Sequence, residues 1–293
     1  MKQISIAILL LFILIKPTFS SNLKILSSIS VEKDVEYEGA KGLSITYRYN
    51  FLPIEEENHN DTILKGAVFH LKTYVLENSS FVEPANGYAS VKNTNGDIEF
   101  DLTLMGSEIT PSKFDKKITQ FIPYASLKLS TGNHNIQIKA VLEGKDATGF
   151  FHKQEMEKPD IQFTKPATKG FVMNIDYIEL NTLNSKGHAW DYALFRTDAP
   201  DVGVTILVGN TVVWKSHVND TYMFAVGPNS KNINFTISEN DNVIVLVQDI
   251  DVMFHDFVAR LIFETKNKKI NQIYTYSKTS GNIKSSNLNF KIE

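Results

Sequence analysis

Apolar and polar residues alternate along most of this chain with a period of two. Leu43, Ile45, Tyr47, Tyr49 and Phe51 are separated by polar or small residues, and the same holds for Ile98, Phe100, Leu102 and Leu104 and for Ile136, Ile138, Ala140 and Leu142. Such alternation puts every second side chain on one face of an extended strand. Turn-forming clusters bound these segments, as at Asn95-Gly96-Asp97 and Ser130-Thr131-Gly132-Asn133. Strands with one apolar face need a second layer to bury it, so a β-sandwich is expected over residues 22–150. The alternation lapses in 151–169, which is charged and holds two prolines, and this stretch is expected to be a linker. It resumes with Phe171, Met173, Ile175 and Tyr177, followed by "VGVTILVG", "NTVVWKS", "NINFTI", "NVIVLVQD" and "FVARLIFE". A second all-β sandwich is therefore expected over 170–293, and no convincing amphipathic helix appears. The fold class is all-β: two antiparallel β-sandwich domains.

Composition narrows the functional classes. The 293 residues are 42% hydrophobic and 22% charged with a net charge of -3, which suits a globular protein and offers no basic excess for a nucleic-acid partner. The start has a basic residue, Lys2, then an apolar run from Ile4 to Ile15, then Ser20-Ser21. This run is shorter than a membrane span, so residues 1–20 are expected to be a signal peptide and the protein to be secreted or held in the periplasm or cell envelope. The sequence contains no cysteine, which removes disulfides and thiolate chemistry and agrees with a bacterial exported protein.

The chemistry concentrates in "VQDIDVMFHDFVA", residues 247–259, where an apolar strand runs into Asp249, Asp251 and Asp256. Either this is a solvated turn, or the three carboxylates share a divalent cation. Two aspartates two apart in extended chain point to one side, and oxygen-only donors suit Ca²⁺ better than a transition metal. A second acidic loop, "KGHAWDYALFRTDAPDVGV" at 186–204, offers Asp191, Asp198 and Asp201.

These two segments resemble the calcium loops of the C2 domain, a calcium- and phospholipid-binding module. In that family an apolar strand enters Asp-x-Asp, a short loop and Asp-Phe-Ile-Gly, and the first loop ends in Ser-Asp-Pro-Tyr-Val-x-Val. The resemblance makes residues 170–293 C2-like. It implies that Asp249, Asp251 and Asp256 are third-loop ligands and Asp191 with Asp198 or Asp201 first-loop ligands. Ala199-Pro200-Asp201 departs from the family order and Ala259 replaces a glycine. Between Val212 and Val226 the only lysine is Lys215, so the basic lipid-binding face is missing and membrane lipid is a poorly supported partner. Met253 and Phe254 at the third loop tip and Trp190 in the first loop are either buried anchors or exposed contacts. Residues 121–142 resemble, more weakly, a strand-turn-strand segment of β-sandwich modules in exported proteins of Bacteroidetes-type bacteria.

The scattered histidines form no zinc motif, and no nucleophile elbow or phosphate loop is present. An exported, non-catalytic binding or structural protein is expected, with Ca²⁺ as its cofactor. The alternative is a metal-independent module that recognises an envelope protein or glycan, and hydrolysis is the least favoured class.

Overall fold

The computed structural model describes residues 23–53, 66–105, 115–147, 149–184, 186–188, 190, 199–226, 232–250, 255–277, 279 and 281–293. The signal-peptide expectation for residues 1–20 lies outside them. The first eight strands are β1 (Leu23–Tyr37), β2 (Ala40–Pro53), β3 (Val68–Glu77), β4 (Ser80–Phe81), β5 (Glu99–Met105), β6 (Asp115–Pro123), β7 (Gly132–Lys145) and β8 (Phe151–Lys165). They form two antiparallel sheets: β1-β2-β6, and β4-β3-β7-β8 with β5 also on the β4 edge of β3. Alternation is what makes them pack. Leu43, Ile45, Tyr47 and Tyr49 of β2 and Phe69, Leu71 and Val75 of β3 are all buried. The Tyr47 hydroxyl lies 2.7 Å from the buried Thr73 hydroxyl across the sandwich. Loss of water raises the phenol pKa of both Tyr47 and Tyr49.

The second sandwich comprises β9 (Thr168–Leu180), β10 (Val202–Val208), β11 (Thr211–Val218), β12 (Met223–Phe224), β13 (Ile233–Ser238), β14 (Val243–Ile250), β15 (His255–Phe263), β16 (Ile273–Tyr276) and β17 (Ile283–Ile292). One sheet has the order β11-β10-β14-β15. The other is β12-β9-β17-β16, with β13 also on β9. Phe171, Met173 and Ile175 point inward as their alternation predicts. Tyr177 does not, because a register shift against β17 inserts Asp176 and leaves Tyr177 half-buried opposite Asn287.

The linker expectation for 151–169 is corrected. Residues Phe151–Lys165 are the edge strand β8, paired with β7 along almost its whole length, and only two residues separate it from β9. Its alternation is hidden because His152 and Lys165 occupy inward positions beside Met156, Ile161 and Phe163, and because an irregularity at Pro159-Asp160 breaks the period. Proline is tolerated there since an outer strand does not need every N–H for the ladder.

The two sandwiches meet in a polar seam above a continuous core. Asn242 N–H donates to the Gly39 carbonyl (2.8 Å), Thr236 N–H to the Asn86 carbonyl (3.0 Å), and the Tyr88 hydroxyl to the Thr236 carbonyl (2.9 Å). Lys41 N–H donates to the buried Asp241 carboxylate at 3.2 Å, and Arg260 pairs with Glu38. This seam engages the end of the second sandwich where β10 turns into β11 and β13 into β14.

Candidate functional site

Asp201 and Asp249 lie at the opposite end of the same sandwich. Along β14 the inward row Val243, Val245, Val247 continues into Asp249, so this carboxylate sits where the core row reaches the end of the sheet and is fully buried. The resemblance makes Asp249 a loop ligand; the structure places it instead in the last inward position of strand β14. The β14–β10 register sets Asp249 beside Val202. The Asp201 N–H then donates to Asp249 Oδ1 at 2.9 Å, and Ile250 N–H donates to the Asp201 carbonyl at 2.8 Å. Asp201 Oδ1 in turn accepts the Asp220 N–H at 2.8 Å, and Thr221 N–H donates to the Pro200 carbonyl at 3.0 Å. Three chain segments are thus tied around two carboxylates.

A β-bulge brings in the third. Val247 pairs with Ala259, but Gln248 pairs with Phe257, so Val258 is an extra residue on β15. Were Val258 paired in a regular ladder Asp249 would oppose Phe257; because Val258 is bulged out, Asp249 opposes Asp256. Asp249 and Asp256 consequently face each other across β14 and β15, with Asp201, one residue before β10, hydrogen-bonded beside them. Two carboxylates directly opposite in a ladder destabilise it unless something neutralises them. The Asp256 side chain is outside what the structure describes, as are Asp191, Asp198, Asp251, Met253 and Phe254 in full. Among the described residues no three acidic or histidine side chains form a metal-sized group.

Trp190 is resolved as an anchor. It is 7% exposed, packs on the core, and its Nε1–H donates to the Asn181 carbonyl at 2.7 Å. Asn181 N–H donates to the Asn282 carbonyl (2.9 Å), and Asn282 Nδ2 donates to the Val258 carbonyl (3.1 Å). A polar relay therefore links the anchor of the first acidic loop to the bulge that positions the third. Sequence reasoning missed Asn181, Asn282 and Val258. The adjacent apolar pair Phe257-Val258, which breaks the alternation, was the one available signal. Phe257, at this end, is 63% exposed.

A scan against protein-family models finds no match to this chain, and a search of curated proteins finds none either. Among solved structures, one described as "Structure of a C2 domain" aligns at 13% identity with a TM-score of 0.30, covering 43% of this chain and 98% of that chain. A score that low lends nothing to the sandwich assignment, which rests on strand register and burial.

Proposed function

We propose that this chain is an exported, non-catalytic binding or structural protein whose second sandwich takes up Ca²⁺ at its acidic end. The observation that supports this reading is the ladder pair Asp249–Asp256, created by a bulge that sets acid against acid, with Asp201 hydrogen-bonded to Asp249 beside it. A divalent cation removes the repulsion that such a pair builds in, and carboxylate and carbonyl oxygens are the donors that calcium takes. Asp251, with Asp191 and Asp198 in the loop before β10, would supply further oxygens. The resemblance of both loops to the C2 calcium loops points the same way.

Thermal unfolding of the whole chain in chelator and in calcium tests it. Calcium at about 100 times its dissociation constant is expected to stabilise the fold by roughly 2.7 kcal/mol, with magnesium a poor substitute. Asp251→Asn is expected to remove most of the gain. Asp249→Asn is the less clean variant because Asp249 also closes the core row. A folded chain with the same melting temperature in chelator and in millimolar calcium would sink the proposal.

One observation favours the metal-independent alternative. Asp249 and Asp201 each already accept a backbone N–H, which is how carboxylates tie loops together without a cation. In that case the end of the sandwich is a polar clasp, and any partner is bound without calcium.

A further inference from the structure

The first sandwich has a groove that its fold does not need. The β3–β4 hairpin turns through Asn78 and Ser79, both at positive φ (51° and 63°), the backbone of a tight two-residue hairpin. This sets Ser80 opposite Glu77 and Phe81 opposite Leu76. Phe81 is 45% exposed although its ring is held by Tyr74, with centroids 5.5 Å apart and planes at 62°. Tyr74 is itself fixed by donating its hydroxyl to Glu99 at 2.7 Å. Beside the ring runs the segment after Tyr124–Ser126, joined to the hairpin strand by the Lys128 N–H to Glu83 carbonyl bond of 3.0 Å. Together these segments enclose a groove of about 310 Å³ lined by Glu77, Ser80, Phe81, Glu83, Lys128 and Leu129.

Both carboxylates of the groove are held by one oxygen. Glu77 Oε1 lies 2.6 Å from Nδ1 of His134, whose Nε2 lies 2.8 Å from the Ser130 carbonyl, so the imidazole is clamped behind the groove. Glu83 Oε2 accepts from the Lys128 ammonium, and that hydrogen bond and charge hold its carboxyl below the usual range. Each glutamate keeps a second oxygen for an incoming donor. A half-exposed aromatic ring flanked by hydrogen-bonded acceptors, a hydroxyl and an ammonium fits a sugar ring, which has an apolar C–H face and a rim of hydroxyls that both donate and accept. Lys128 offsets Glu83 while the Glu77 carboxylate has no fixed cation against it, so the groove carries no excess positive charge and favours a neutral ligand over an acidic one.

We infer that this groove is a binding subsite for a neutral saccharide, with Phe81 as stacking platform and Glu77, Glu83, Ser80 and Lys128 as hydroxyl partners. The site lies in the other sandwich from the acidic pair and does not depend on the calcium reading. The test is titration calorimetry of the whole chain, in chelator, with cellopentaose, xylopentaose, mannopentaose and laminaripentaose, and with tetragalacturonate as the acidic comparison. At least one neutral oligosaccharide is expected to bind. Phe81→Ala is expected to weaken binding about tenfold, the scale of a lost stacking contact, with the melting temperature unchanged because the ring is half exposed. Glu83→Gln is expected to weaken it as well. Absence of binding by all four neutral sugars, unchanged affinity in both variants, or preference for tetragalacturonate would each overturn the inference.

Discussion

Asp241 shows how one side chain at the seam makes the whole protein sensitive to pH. It is 1% exposed, and burial pushes its carboxyl up to about 7 even though Ser238 and Lys41 N–H groups, acting on the ionised form, pull it down. Around it stand Asp34, Glu36, Lys41, Glu239, Glu264 and Lys266, with the Tyr88 phenol on the other side. The folded value exceeds the unfolded one, so the native state holds the proton more tightly. This contribution to stability is whole below about pH 4 and is lost as pH rises to about 7, an upper limit of about 4 kcal/mol. The wild-type melting temperature is therefore expected to fall between pH 5 and pH 8 more steeply than that of Asp241→Asn, which has no charge to bury. Parallel melting curves for the two proteins across that range would refute this account. Trp190 is a second residue-scale case, since Trp190→Phe removes the donor to the Asn181 carbonyl and keeps the ring. The expected cost is about 1–2 kcal/mol, measured by denaturant unfolding.

At the scale of elements, what could be foreseen depended on whether a strand keeps its period. Leu43 to Tyr49 and Phe171 to Ile175 announce their faces because nothing interrupts them. Strand β8 was hidden, because His152 and Lys165 take core positions and Pro159-Asp160 breaks the count. The practical difference is large: residues 151–165 are expected to resist protease under native conditions, since cleavage needs local opening of a paired strand. A primary cut there, mapped by mass spectrometry, would restore the linker. The acidic pair divides in the same way. The Asp-x-Asp pattern is visible in the sequence, but the placement of Asp256 opposite Asp249 depends on Val258 being left out of the ladder, which no motif marks. Inserting one alanine between Asp256 and Phe257 should place the alanine opposite Asp249, move Asp256 out of the pair and abolish the calcium response of the melting temperature while the chain stays folded. A full response in the insertion variant would show that the pairing is irrelevant to the metal.

For the whole molecule, the seam and the continuous core beneath it are expected to make the two sandwiches unfold as one body. None of this was legible, because Gly39, Asn86, Tyr88 and Asn242 belong to no motif and meet only after both halves have folded. Gly87 shows how close the approach is: its φ is +87° and a Cβ there would lie 2.1 Å from Cβ of Phe235. Gly87→Ala is expected to cost roughly 1–3 kcal/mol from strain and displacement, lowering the melting of both halves together as one calorimetric transition. Two separate transitions, only one of them shifted, would show independent folding.

The distance between seam and acidic pair sets what the molecule can span. Strand β10 has seven residues, so the two ends of the second sandwich are about 20 Å apart. Whatever docks at the acidic end is held a fixed step away from whatever the first sandwich holds. A flexible tether would let both partners sample many separations and weakly favour any geometry. A stiff spacer instead gives a high effective concentration to partners whose own spacing matches and almost none to the rest. With both proposed sites occupied, the seam would select between bivalent targets by length, without either site changing its affinity.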